Sequence, residues 1–356
     1  MGEKVLMKGN EAIGEAAIRA NCQGFFGYPI TPQTEISAYL SRKMPKIQRV
    51  FLQAESEVAA INMVYGAAGT GVRCMTSSSS PGISLKAEGI SYIAGAELPC
   101  VIVNIVRGGP GLGSIQPAQS DYFQATKGGA HGDFNMPVYA PASVQEMVDL
   151  VQDAFDVADM YRTPVMVMGD GMLGQMMEPV EFKERAPMSL PEKTWAADGL
   201  NGRAKHNVIN SLYLQSEDLE KHNIKLQAKY ADIKKNETRY ELYKCDGEVD
   251  LIMVAYGTTA RICKNVIKMA EKEGIKLGLI RPITLWPFPA EAFDKTIGNT
   301  KHGYISVEMS CGQMIEDVRL SVEGRQPVHF YGRTGGMVPH PDDILNKVRE
   351  IVGGTK

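Results

Sequence analysis

Cysteine is scarce in this chain and never clustered. The six cysteines, Cys22, Cys74, Cys100, Cys245, Cys263 and Cys311, form no Cys-x-x-Cys pair. Iron–sulfur and zinc sites are normally announced by such spacing, so the sequence predicts no cluster of its own. Free, mostly buried thiols are expected instead. Long apolar runs are missing too. No segment reaches the roughly 20 residues of a membrane-spanning helix. The stretch Met1–Met7 lacks the apolar core of a signal peptide. Excess charge is also absent: 38 basic against 41 acidic residues leave a formal net charge of −3. That gives no electrostatic argument for nucleic acid or an anionic membrane. The expectation is a cytoplasmic protein with neither as a partner.

Several catalytic signatures fail as well. Gly108–Gly113 is followed by no Gly-Lys-Ser/Thr, so it is not a P-loop. It does not open into a helix at the offset of a dinucleotide fingerprint, which argues against a nicotinamide enzyme. No Ser–His–Asp order or metal-spaced histidine pair stands out. His131, in Gly129-Ala130-His131-Gly132-Asp133, fits a polar site group and a structural histidine equally well. Met168-Gly169-Asp170-Gly171 resembles the opening of the thiamine diphosphate–magnesium motif. The paired asparagines that close that motif are missing: Glu178-Pro179-Val180-Glu181 and then Trp195 stand there. Asp170 is therefore expected to be a strand-end turn residue, and no metal ligand is assigned.

What is present is material for two packed domains. The chain has 356 residues, 44% of them hydrophobic, with 36 glycines. Short apolar strands alternate with helical patterns: 24–26, 49–53, 72–76, 99–106, 137–140 and 164–170 as strands, with helices from 54, about 83 and 144–161. Such alternation predicts an α/β fold with a parallel, doubly wound sheet. Residues 183–246 differ, with Pro187, Pro191 and Gly199 followed by a charged helical pattern over Ser216–Tyr243. They read as a linker ending in an exposed helix between a first domain, 1–182, and a second α/β domain, 247–356.

The first domain is organised around Gly27-Tyr28-Pro29-Ile30-Thr31-Pro32-Gln33-Thr34. Both prolines fix φ and push Tyr28 and Thr31 towards extended backbone. Pro32 suits a first helical position, with Thr34 and Glu35 in the first turn. The result is a stiff corner at the carboxyl end of a strand, the edge where open α/β sheets bind ligands. Glu55 or Glu57, the serine run Thr76–Ser80 and Arg107 fall at the same edge. Taken singly, the acids could merely cap a helix and the arginine merely pair with a carboxylate. Their shared edge favours a site.

Gly27–Pro32, Gln53–Ala60, Arg107-Gly108-Gly109-Pro110 and Arg281–Pro289 together resemble the α subunit of 2-oxoacid:ferredoxin oxidoreductases, in that family's order and across both domains. Ser56-Glu57, Thr76–Gly82 and Gly113–Asp121 look most like the 2-oxoisovalerate type, with the 2-oxoglutarate type as near neighbour. The resemblance implies a transketolase-like pyrimidine-binding domain and a smaller transketolase C-terminal-like domain. It implies thiamine diphosphate-dependent oxidative decarboxylation: a 2-oxoacid and coenzyme A give acyl-CoA, carbon dioxide and reduced ferredoxin. It places the diphosphate and Mg²⁺ on a partner β subunit and [4Fe-4S] clusters on partner chains, with γ and ferredoxin-like subunits expected. Glu57 matches the glutamate that faces the pyrimidine nitrogen, where a carboxyl favours the imino tautomer that takes up the thiazolium proton. Thr31 and Arg107 match the residues that hold the substrate carboxylate. Tyr28 and Pro29 match the wall beside the cofactor. A non-catalytic assembly subunit is the competing reading.

Overall fold

The computed structural model describes residues 4–186 and 188–353. Met1–Glu3, Pro187 and the residues after 353 lie outside the described residues. The chain opens with β1 (Lys4–Lys8), α1 (Gly9–Arg19), β2 (Gly24–Gly27), α2 (Thr34–Lys43), β3 (Val50–Gln53) and α3 (Glu57–Gly69). It continues with β4 (Cys74–Ser78), α4 (Pro81–Gly95), β5 (Cys100–Val106), α5 (Tyr122–Thr126), β6 (Val138–Tyr139), α6 (Val144–Tyr161) and β7 (Pro164–Asp170). Then come α7 (Gly171–Gln175), β8 (Met177–Glu181), α8 (Ser216–Glu237) and β9 (Tyr240–Tyr243). The last part comprises β10 (Leu251–Val254), α9 (Gly257–Glu271), β11 (Leu277–Pro282), β12 (Thr284–Trp286), α10 (Ala290–Thr296), β13 (Tyr304–Glu308), α11 (Met314–Val322), β14 (Val328–Gly332) and α12 (Pro341–Gly353).

A seven-stranded sheet in the order β12-β6-β7-β5-β4-β2-β3 forms the centre, parallel except for the β12 edge. Its middle strand β5, Cys-Val-Ile-Val-Asn-Ile-Val, is buried throughout. A fully apolar strand covered on both faces is what a parallel sheet requires. Helices α1, α2 and α6 pack one face through Ala12, Ala16, Ile36, Leu40, Val148 and Val151. Helices α3 and α4 pack the other through Ile61, Val64, Ile83, Ile90 and Ile93. A second sheet, β14-β13-β10-β11-β9, is parallel except for β9.

The two halves interlock more than the sequence suggests. The segment Tyr240–Tyr243 was expected to be helical and linker; it is β9, antiparallel to β11 in the second sheet. Conversely, β12 leaves the second half and pairs with β6 of the first sheet. Helix α8, expected to be exposed, leaves Leu219 and Ile224 exposed, but Leu226, Tyr230 and Ile233 are buried in the main core. The pair β1–β8, antiparallel, had no sequence forecast. The helix after the corner starts at Thr34, so Pro32 sits before it and not in its first turn.

Arg281, beside both crossings, is buried and forks onto Glu146 of α6 with two 2.9 Å bonds. Its Nε donates to Glu241 of β9 at 2.7 Å. One guanidinium thus ties together α6, β9 and β11. Without it Glu241 keeps Lys264 at 2.7 Å, but the partly buried Glu146 carboxylate loses this cation and both bonds from it. Arg281→Met is expected to destabilise the chain by about 3 kcal/mol, read in thermal or denaturant unfolding. Unchanged stability would show that water already serves both carboxylates.

Candidate active site

In the seven-stranded sheet, β3 follows β2 on one side and β4 returns on the other. The strand order therefore switches between β2 and β4, the place at the carboxyl ends where open α/β sheets bind ligands. The corner after β2 lines one side of it. Its stiffness comes from more than proline. Gln33 is fully buried, donates from Nε2 to the Tyr28 oxygen at 3.3 Å, and accepts from Ser77 Oγ at 2.6 Å. Asn10 Nδ2 donates to the Pro32 oxygen at 2.7 Å and to Glu35 at 2.8 Å, and Gln175 Nε2 adds a bond to the same Pro32 oxygen at 3.2 Å. The corner is thus fastened to α1, α7 and the end of β4. Thr31 and Pro29 stand exposed at its tip, and Tyr28 is half-buried.

The β3–α3 turn supplies the acid. Ser56 has extended backbone and its Oγ accepts from the Ala59 N–H at 3.1 Å, which satisfies an orphan donor of the helix start. Glu57 is then the first residue of α3 and is 6% exposed, whereas Glu55 is exposed. Two acids that sequence alone leaves as rivals are separated by burial. A side chain at position 82 would crowd this carboxylate. A Cβ on Gly82 would lie 2.9 Å from Glu57 Oε1 and 2.1 Å from Ser78 Oγ. The hydroxyls of Thr76, Ser78 and Ser79 are buried and have no hydrogen-bond partner. Unpaired buried hydroxyls are costly unless something else meets them.

The β5 end carries Arg107, also buried. Nη1 donates to the Thr31 oxygen at 2.9 Å and Nη2 to the Leu112 oxygen at 3.0 Å, while Nε has no partner. The guanidinium therefore clamps the corner against the glycine-rich loop. That loop closes at Gly113, with φ +63, where the Ser114 N–H bonds the Gly108 oxygen at 2.8 Å. Behind Arg107, its backbone N–H donates to Ser80 Oγ, which donates to Asp121 at 2.7 Å; Asn104 Nδ2 donates to the same carboxylate at 3.0 Å. Burial raises the Asp121 carboxyl above its ordinary range, against the pull of Asn104, Ser80 and Arg107. Ser80 itself holds φ +29, an uncommon backbone for a non-glycine residue and a form of strain that gathers at functional sites.

Thr31 and Arg107 are thus in direct contact. Glu57 lies beside Gly82 and near Ser78 at the end of β4, the strand whose Ser77 bonds the corner. His131 does not join them: it is exposed and meets Tyr92 edge to face. Asp170 accepts from the Met172 and Leu173 N–H groups and caps α7, a strand-end turn role. Gln33, Asn10, Asp121, Gly82 and Lys86 were missed by sequence reasoning. Of these only Lys86, a charge on an otherwise apolar helical face with Ile83, Ile90 and Ile93, left a readable signal. A wide, open cleft lies elsewhere, between α8, the 126–135 loop and Trp286–Phe288.

Known proteins bear on this arrangement. Residues 15–241 match the family model described as pyruvate flavodoxin/ferredoxin oxidoreductase, thiamine diphosphate-binding. Residues 249–344 match pyruvate:ferredoxin oxidoreductase core domain II. Ketoisovalerate oxidoreductase subunit VorB of Methanothermobacter thermautotrophicus is 50% identical over 348 residues, 98% of each chain. 2-Oxoglutarate synthase subunit KorA of Archaeoglobus fulgidus is 37% identical over 324 residues, 89% of this chain and 91% of its own. Among solved structures, 2-oxoglutarate:ferredoxin oxidoreductase from Magnetococcus marinus, with 2-oxoglutarate, coenzyme A and succinyl-CoA bound, superposes with a TM-score of 0.88 at 27% identity, covering 99% of this chain and 66% of that one. A split-gene transketolase shares the fold alone, at TM-score 0.60 and 15% identity over 99% of both chains. On a match to its thiamine diphosphate-binding domain and on relatives 50% identical over nearly the whole chain, this protein belongs to the pyruvate flavodoxin/ferredoxin oxidoreductase family.

Proposed function

We propose that this chain supplies the pyrimidine-binding half of a thiamine diphosphate site in a 2-oxoisovalerate:ferredoxin oxidoreductase. The observation that carries the proposal is the buried Glu57 carboxyl at the start of α3, set beside buried hydroxyls that no protein group meets. A buried acid beside unpartnered hydroxyls fits an aminopyrimidine ring, which presents both donors and acceptors. Among the described residues no cluster of His, Cys, Asp and Glu is placed to hold a metal. As the family resemblance implies, this reading places the Mg²⁺–diphosphate half and [4Fe-4S] clusters on a β subunit and further partner chains, with γ and ferredoxin-like subunits completing the complex.

Thiamine diphosphate, when bound, supplies the electron sink on which a 2-oxoacid loses carbon dioxide. The residues of this chain bind and orient. Glu57 hydrogen-bonds the pyrimidine ring nitrogen and fixes its tautomer. Thr31 and the free donors of Arg107 hold the substrate carboxylate at the corner tip, and the bonds of Arg107 to the Thr31 and Leu112 oxygens keep that guanidinium from swinging away. Tyr28 and Pro29 wall the cofactor side.

Identity of 50% to the ketoisovalerate relative, against 37% to a 2-oxoglutarate relative, supports the branched-chain substrate. The test is a panel of 2-oxoacids offered with coenzyme A to the complex reconstituted with its co-purifying partner chains. 2-Oxoisovalerate is expected to give the highest kcat/KM for dye or ferredoxin reduction. 2-Oxoglutarate far ahead would move the assignment to the neighbouring type, and no turnover with any 2-oxoacid would leave an assembly role.

A further inference from the structure

Lys86 is fully buried in α4, yet among the described residues it makes no ion pair. Its Nζ has one protein partner, the Glu57 main-chain oxygen at 3.5 Å, at the outer limit of a hydrogen bond. The face of α4 that meets α3 explains how it comes so near. Gly82 leaves room for the Glu57 carboxylate, and a Cβ on Gly89 would lie 2.5 Å from Ile61 Cγ2, so the two helices close around Lys86. Among the described residues, Glu57 is the one charged group that acts on this ammonium. The contact from α3 at Gly89 is apolar.

We propose that Lys86 is a positioning residue for Glu57: its buried ammonium holds the first turn of α3 and sets the electrostatic field in which the Glu57 carboxyl meets the bound pyrimidine. The inference rests on the thiamine half-site reading above. A structural purpose accounts poorly for the residue. Burial lowers the Lys86 ammonium from its ordinary 10.5 to about 8, with the nearby Glu57 pulling the other way. Between those values the unfolded chain binds more protons than the folded one, so stability rises with pH through the window. Below about pH 8 the folded chain carries the full burden of the buried charge. A methionine of similar length would pack there without it. A costly charge beside a single carboxylate points to that carboxylate.

The test compares the wild-type, Lys86→Met and Glu57→Gln complexes with their partner chains. Without thiamine diphosphate, the Lys86→Met complex is expected to melt higher than wild type at pH 7, the gap closing between about pH 8 and 10.5. With it, wild-type affinity for thiamine diphosphate, followed by fluorescence quenching, is expected to weaken about tenfold as pH rises through Lys86 deprotonation. Lys86→Met is expected to show the weak affinity at every pH, and Glu57→Gln to lose the pH dependence. A wild-type affinity flat from pH 7 to 9.5 overturns the proposal, whether or not the variant folds. So does a Lys86→Met complex with wild-type affinity and pH profile while Glu57→Gln is impaired. Wild-type affinity and turnover in Glu57→Gln would instead defeat the half-site reading itself.

Discussion

Glu57→Gln is expected to lower 2-oxoacid-dependent dye reduction by about 10²- to 10⁴-fold while the complex with the partner chains still assembles. That range is what a positioned proton-handling group contributes. The substitution is close to isosteric, so Gly82 and Ser78 still fit around it. Ser56 keeps its cap on the Ala59 N–H, and α3 therefore starts where it did. What changes is that an amide replaces a carboxyl at the start of α3. Favourable charge at a helix start is worth only about 0.3–1 kcal/mol, but the variant also takes from the buried Lys86 its one nearby counter-charge, so thermal melting is run beside the assay. Glu55→Gln is the control. Glu55 is exposed, two residues away on the same turn, and its loss should leave the rate unchanged. Turnover measured beside size-exclusion profiles separates chemistry from assembly. An unimpaired Glu57→Gln enzyme would remove Glu57 from the site.

The strands that bring these groups together were legible in the sequence where the local pattern was strong. Pro164–Asp170 and Val144–Tyr161 form as their patterns predict, because a continuous apolar run or an amphipathic repeat leaves one way to bury them. Elements whose identity depends on a distant partner were not legible. Tyr240–Tyr243 continues a helical pattern, and only the exposed edge of β11 makes it a strand. Thr284–Trp286 belongs to a motif of the second half, yet its backbone bonds go to β6. The site divides in the same way. Thr31, Glu57 and Arg107 sit at strand ends that parallel topology must collect on one edge. The choice of Glu57 over Glu55 needed either family register or burial. The supports, Gln33 under the corner and Asp121 behind Arg107, act through contacts 44 and 41 positions apart in the chain, which no local window contains.

Gly82 carries the second large prediction. Gly82→Ala is expected to cost about 100-fold in turnover, with little loss of cofactor-free stability. Position 82 is in the first turn of α4, where alanine is still somewhat better than glycine, so helix propensity alone would favour the variant by at most roughly 0.5–1 kcal/mol. The new methyl, however, arrives 2.1 Å from Ser78 Oγ and 2.9 Å from Glu57 Oε1. Ser78 can rotate its hydroxyl aside at small cost. Glu57 can relieve the contact only by moving its carboxylate, and about 1 Å of misplacement is enough to lose two orders of magnitude. The double variant Ser78→Ala/Gly82→Ala tells the two contacts apart. It removes the serine clash and keeps the carboxylate clash, so it should remain as slow as Gly82→Ala. Recovery of the wild-type rate in the double variant would mean that Ser78 transmits the damage and that Glu57 tolerates a neighbour at position 82.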